Sequence, residues 1–375
     1  MEKYLILVID GCAPEYLTRE TAPQLWELAQ REGFAGTALG AVPTVTNVNH
    51  ACILSGRFPE ETGVVGNYYY RPDTGKHGFV EEQGFMKAPT LFQAVHARGG
   101  KSALLTVKGK VLGVYGDDVD IGLSAQSPDP GLLRRLGLDA PPSISDIACT
   151  RWILEAALAC VRREDPELIY CTTNDYGFHH YAPGTPEALR QIGWVDEWIA
   201  AIHQADPDRR IYITADHGMN QKHRLVDIQR IADHRGIPLF ALAPLKDRYI
   251  ENHIYQEGGI LYLYLKDPAD SSRLLQLMAE IPEVAEVLPA SEAARRCHLP
   301  TGSIGDYVLF AAGDCAFGEL PGDSERLVTD AVRTHGSLFE QTVPLLAIRP
   351  LGAREDYRYS KDIGAAILRQ LESAN

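Results

Sequence analysis

No stretch of this chain stays apolar for the ~20 residues that a membrane-spanning helix requires. Nor does it carry a run of lysine or arginine of the kind that tracks a nucleic-acid backbone. Acidic residues outnumber basic ones, 50 to 36, for a formal net charge of −14, which argues against a polyanion as the main partner. No Cys-x-x-Cys pair is present, and the seven cysteines are an odd number. Cys52, Cys160 and Cys171 sit in apolar segments, so buried free thiols in a reducing compartment are expected. The opening residues, Met1-Glu2-Lys3-Tyr4-Leu5, lack the basic stretch, apolar core and small-residue cleavage site of a secretory leader. A cytoplasmic protein without a membrane partner is the expectation. No internal repeat or low-complexity tract stands out.

What is present is an ordinary enzyme-like composition, 45% hydrophobic and 23% charged over 375 residues, enough for one large α/β domain with an insertion. Apolar runs at 4–9, 34–39, 102–107, 168–172, 211–214 and 342–348 read as buried strands. Helical spacing separates them at 22–32, 51–54, 90–98, 144–163, 186–204 and 360–372. This alternation predicts a doubly wound, mostly parallel sheet with helices on both faces. Residues 111–143 are rich in Gly, Pro and Asp and are expected to form a long surface excursion. Past Pro244 the texture changes to strands at 259–265, 284–288 and 307–311 with helices at 271–279 and 291–296. We therefore expect a catalytic core of 1–244 and 326–375 and a smaller α+β cap inserted at 245–325.

The chemistry concentrates where the apolar runs stop. Ile211 to Thr214 leads through Ala215 into Asp216-His217-Gly218, and ligands in open α/β sheets bind just beyond such strand ends. An oxygen donor beside an imidazole suits a zinc-like divalent ion. Asp10 closes the first run; Asp175 follows the 168–172 run, with His179 one helical turn on; His335 precedes Gly336. Each alone could be a turn residue, and His180 competes with His179 except that only His179 is at i,i+4. Independent turns, however, need not gather matching donors at one end of one sheet. Six such groups exceed the four ligands one zinc takes, so two ions are expected, an arrangement that suits phosphoryl chemistry. Thr44 and Thr46 both lie before a helix start, where free amides favour an anion, and either hydroxyl could be the nucleophile. Asn49 reads as a turn or cap residue. Asn67 could be a turn residue or a donor to a phosphoryl oxygen. Tyr68, Tyr69 and Tyr70 could stack a base or simply pack.

These pieces, LVIDG, PTVTNVNHACILSG, GVVGN, NDYGFHHYAPG, TADHGM and THG in that order, resemble the alkaline phosphatase superfamily and its nucleotide pyrophosphatase/phosphodiesterase-like branch. The resemblance implies that Asp10, Thr46, Asp216 and His217 hold one zinc ion and Asp175, His179 and His335 the other, with Thr46 the nucleophile. Within the branch, GNYYYRPDTG, the tail after Asp175 and Lys108-Gly109-Lys110 are similar to the phosphonoacetate hydrolases, in which paired lysines grip the substrate carboxylate. Side chains at i and i+2 of an extended segment point the same way, so Lys108 and Lys110 could converge on one anion; the plain reading is a solvated surface pair. His180 departs from that group, where a lysine is expected. The resemblance implies a hydrolase that releases acetate and phosphate from phosphonoacetate, with a phosphodiesterase acting on a P–O bond as the alternative. A non-catalytic metal or phosphonate sensor is disfavoured by the threonine. Native metal identity and oligomeric state, a homodimer included, stay open.

Overall fold

A computed structural model describes residues 1–373. Seven strands make the central sheet: β1 (Tyr4–Val8), β2 (Gly33–Leu39), β3 (Ser102–Thr106), β4 (Ile121–Ser124), β5 (Leu168–Thr172), β6 (Arg210–Thr214) and β7 (Thr342–Ile348). Their spatial order is β2-β7-β6-β1-β5-β3-β4. The contacts of β1, β3, β4, β5 and β6 are parallel, and only β7 runs against its neighbours β2 and β6. Every residue of β1, β3 and β5 is buried, because helices cover both faces. Helices Pro23–Glu32, Ala148–Arg163 and Pro186–Ala205 pack together as one layer; Thr46–Ser55, Leu91–His96 and Asp362–Ser373 form another. The doubly wound reading holds.

Register decides what this sheet can do. Val8 lies opposite both Thr172 and Thr214, and Thr106 opposite Thr172. Four neighbouring strands thus end level, and whatever follows each of them arrives at one edge. Cross-links lock the edge: Ile9 N donates to Thr214 O, Thr173 N to Val8 O, and Asp10 N to Thr173 Oγ1.

The 111–143 stretch is not a surface excursion. It contains β4, the sheet's edge strand, and helix Pro130–Leu136, and it opens inside helix Gly109–Tyr115. Four residues with a glycine among them, IGLS, are too short to register as an apolar run, yet an existing edge recruits them by backbone pairing.

A second unit carries a four-stranded antiparallel sheet ordered Leu239–Leu242, Ile260–Leu265, Tyr307–Ala311, Val284–Pro289. Helices Ser271–Ala279 and Ala290–Cys297 belong to it. Its first strand lies before residue 245. A small sheet joins Asn220–Val226 to Cys315–Phe317 and to Arg326–Thr334, and the last of these strands delivers the chain directly to His335. Tyr68–Arg71 pairs with Lys76–Phe79 as a hairpin, and Tyr70 packs against Phe240 and Tyr264 of the antiparallel sheet. The tyrosine run therefore packs the two units together.

Candidate active site

Each strand end supplies its side chain for a local reason. After β1 the chain turns sharply through Gly11 at φ +75°, where a Cβ would stand 3.0 Å from Asp175 Cβ; only glycine takes that conformation freely. Gly11 N then donates to Asp216 Oδ1 at 3.1 Å, tying the first and third aspartates together. Asp175 precedes the short helix Tyr176–His180, which turns His179 inward and leaves His180 exposed against Tyr176. That turn places His179, and not His180, beside Asp175 in a candidate ligand group.

Three imidazoles are oriented by one device. His179 Nδ1 bonds Arg333 O at 2.6 Å, His217 Nδ1 bonds Gly218 O at 2.9 Å, and His335 Nδ1 bonds Thr44 O at 2.7 Å. A carbonyl can only accept, so each Nδ1 carries the proton and each Nε2 presents a lone pair. This is how ligating histidines are held by their outer partners. The rings of His217 and His335 stack at 3.5 Å between centroids.

Ligand atoms of Asp10, Asp175 and His217 lie within 4.8 Å of one another, and so do those of Asp175, His179, His253 and His335. Asp175 belongs to both groups. Asp216 joins the first, its Oδ2 being 3.3 Å from His217 Nε2. All the sequence-designated aspartates and histidines are thereby brought together, buried, at the sheet edge. His253 was missed. It sits on the long connection between strands 239–242 and 260–265, where no apolar run or turn motif marked it.

The threonines separate by their hydrogen bonds. The Thr44 hydroxyl donates to Ser337 O and accepts from Gly336 N, which anchors the His335 turn. Thr46 is the first residue of helix Thr46–Ser55, five residues ahead of the expected start. The residue is 1% exposed. Asn67 lies beside it, accepting from Asn47 N. Asn49 is no cap: it clasps the Ala41 backbone through both ends of its amide.

The lysines are not a surface pair; Lys108 is 2% exposed and Lys110 6%. Nor does an extended segment align them, because Lys110 lies in the first turn of helix Gly109–Tyr115. Lys108 Nζ stands 2.9 Å from Asp10 Oδ2 and 2.7 Å from Asp175 Oδ1. Lys110 Nζ is 3.4 Å from Asp247 Oδ2. The Tyr249 ring lies under both ammonium groups, at 5.8 and 5.5 Å. A cleft of about 1040 Å³, lined by Lys110, Gln126, Ser145, Arg248 and Tyr249 among others, opens from here to solvent.

The donor set fits divalent cations. Asp10 Oδ1, Asp216 Oδ2 and the Nε2 atoms of His217 and His335 are buried without hydrogen-bond partners among the described residues, a costly state for polar atoms unless something else binds them. Burial, with repulsion from Asp175 and Asp216, pushes the Asp10 carboxyl up to about 8. Burial raises Asp216 to about 6. For Asp175 burial pulls upward too, but the Lys108 ammonium and His179 hold it well below the usual range. Burial opposes the Lys108 charge, and Asp10 and Asp175 together outweigh it. Three buried carboxylates served by one ammonium remain short of positive charge, which cations at the two groups would supply.

Known proteins share this fold. The crystal structure of phosphonoacetate hydrolase from Sinorhizobium meliloti 1021 in complex with phosphonoacetate superposes with a TM-score of 0.86 at 28% identity, covering 98% of this chain and 95% of that one. Murine ectonucleotide pyrophosphatase/phosphodiesterase 5 shares the fold at a TM-score of 0.69 and 16% identity, over 99% of this chain and 95% of that one. A Schizosaccharomyces pombe pyrophosphatase/phosphodiesterase is 35% identical over 72 residues, a segment spanning 19% of this chain and 15% of that protein. The family model for type I phosphodiesterase/nucleotide pyrophosphatase matches residues 4–337. Members of this family use a two-metal site. The chain belongs to the type I phosphodiesterase/nucleotide pyrophosphatase family of hydrolases, in the alkaline phosphatase superfamily.

Proposed function

We propose that this protein is a two-zinc hydrolase that cleaves the carbon–phosphorus bond of phosphonoacetate, giving acetate and phosphate. The observation that carries the reading is the pair of buried lysines beside the clustered ligands at the foot of an open cleft. It is supported by the likeness to a phosphonoacetate hydrolase over nearly the whole chain. Asp10, Thr46, Asp216 and His217 would hold one ion and Asp175, His179 and His335 the other. When bound, the ions would neutralise the carboxylates, lower the pKa of the Thr46 hydroxyl and of water, and draw charge from the phosphoryl oxygens.

The Thr46 oxygen attacks phosphorus in line, and the electron pair of the C–P bond moves onto carbon. That carbanion is a poor leaving group unless its charge spreads into the carboxylate as an enolate. Lys108 and Lys110 stabilise that charge where it develops, which is binding that speeds reaction. Asn67 and the Thr46 amide donate to the phosphoryl oxygens. Protonation of the enolate gives acetate, and water hydrolyses the phosphothreonine to free the enzyme. The second unit, beginning with strand Leu239–Leu242, acts as the cap, and its connection carrying Asp247 and Tyr249 lies against the lysines.

A second reading is a phosphodiesterase that uses the same threonine on a P–O bond. The family model favours it, and so does Asp247, whose carboxylate already occupies Lys110. Lys110 touches no proposed metal ligand and so separates the two. Phosphate release from phosphonoacetate, with aryl mono- and diesters alongside and zinc restored after chelation, is the measurement. We expect Lys110→Ala to slow phosphonoacetate cleavage by roughly 10²-fold while aryl ester turnover is largely kept. Equal phosphonoacetate activity of the variant sinks the lysine assignment, and aryl diester turnover far above phosphonoacetate turnover establishes the second reading.

A further inference from the structure

His253 enters the site from the second unit, and its surroundings are those of a ligand. The imidazole is 1% exposed. Its Nδ1 has no hydrogen-bond partner among the described residues, and the nearest carboxylate oxygen, Glu257 Oε1, stands 3.9 Å away, beyond hydrogen-bonding reach. A ring nitrogen lies within 4.8 Å of the ligand atoms of Asp175, His179 and His335. The ring meets His179 edge-on at 4.4 Å and His335 at 5.4 Å between centroids. A histidine placed there for packing alone would leave a buried polar nitrogen unused beside two other imidazoles, at a cost apolar residues would not incur.

The connection that carries it is fastened to the same site. Asn252 Nδ2 donates to Asp175 Oδ1 at 2.9 Å. Asp247 pairs with Lys110, and the Tyr249 hydroxyl donates to Gln126 Oε1 at 2.9 Å. Asp247 N and His253 O are bridged by Gln256, so residues 247–256 form one compact turn that presents Asn252 and His253 together. These contacts hold the imidazole at the ligand group from a different sheet than the one that supplies Asp175.

We propose that His253 is a fourth protein ligand of the divalent ion held by Asp175, His179 and His335. With His253, three imidazoles and one carboxylate would hold that ion, the four protein donors of a closed zinc site, whereas a catalytic zinc keeps one position open. For this side of the site to take a water or substrate oxygen, His253 would have to give way. Since substrate entering the cleft also contests the Lys110–Asp247 pair on the same turn, anion binding and release of His253 are joined by one short segment. This inference rests on the two-metal reading of the site.

The test is metal binding, separate from turnover. Apo-protein is titrated with Co²⁺ against a competing chelator, for wild type, His253→Ala and His253→Gln, with thermal melts of each apo form. X-ray absorption of the zinc-loaded wild type counts its imidazoles. We expect two ions in wild type. In His253→Ala one ion should bind with unchanged affinity and the other at least ~10-fold more weakly, the scale seen when even an outer partner of a ligand is lost. If either variant fails to fold, the imidazole count decides: four per two ions supports the assignment and three overturns it. Two ions bound equally well by the variants overturn it while leaving the two-metal reading intact. No ion bound by wild type overturns both.

Discussion

Thr44 and Thr46 are two residues apart, and their hydroxyls have opposite assignments. Thr44 is committed twice, to Ser337 O and from Gly336 N, while Thr46 is buried at the first position of helix Thr46–Ser55. Thr46→Ala should lower turnover by roughly 10³-fold or more with little change in melting temperature. Thr44→Val should do the reverse in kind: a loss of about 1–2 kcal/mol from the turn that carries His335, read in denaturant titration, with weaker metal binding. Equal stability and equal activity losses in the two variants would remove the distinction. At this scale the motifs were legible, since an aspartate at the end of an apolar run is visible in one dimension. His253 was not, because nothing in its own segment announces a ligand; its role arises from Asp175, which lies 78 positions earlier in the chain.

Elements meet where glycine lets them. Gly364 in the last helix is so close to helix Thr46–Ser55 that a Cβ would fall 2.0 Å from Ile53 O. Backbone cannot yield as a flexible side chain can, so Gly364→Ala should push the two helices apart. We expect a loss of about 2 kcal/mol or more, from overpacking, and lower turnover because Thr46 starts the displaced helix. Gly11→Ala combines a left-handed backbone, costing about 1 kcal/mol, with a contact on Asp175 Cβ. Its expected signature is metal affinity lost out of proportion to stability, measured by chelator competition. A variant that binds metal as wild type does would show that the turn merely connects. Strands β5 and β7 were legible to the residue, as the 168–172 and 342–348 runs, because all their residues but Thr342 are buried and most are apolar. Strand β4 and Asn220–Val226 were not: short or polar segments become strands only when a neighbour offers unpaired backbone.

The whole molecule holds seven cysteines, all free and all buried. Burial pushes every thiol upward: Cys297 to about 11, Cys149, Cys160 and Cys315 to about 12, and Cys12, Cys52 and Cys171 higher still. An acid whose folded-state pKa is raised stabilises the fold fully below its unfolded value and loses that contribution as pH climbs above it. Unfolding free energy should therefore begin to fall near pH ~8.5, the ordinary thiol value, and continue downward. Native protein at pH 8 should leave a thiol reagent nearly unreacted, whereas denatured protein should show all seven. Rapid labelling of the native form would contradict the burial. Among the described residues no helix is long and apolar enough to cross a membrane.

The linear order of residues determined the doubly wound sheet, because buried parallel strands must be continuous apolar runs, and it determined which aspartates and histidines stand at strand ends. It also placed Lys108 and Lys110 in view, though for the wrong reason, since their convergence comes from a helix start and not from an extended pleat. Only the tertiary structure decided that Lys108 and Lys110 are buried, that the Thr44 hydroxyl is committed to the His335 turn, and that His253 joins from another sheet. The reason is common to all three. A side chain's chemistry is written in its identity, but its availability depends on which hydrogen bonds its neighbours in space have already claimed, and those neighbours are remote along the chain.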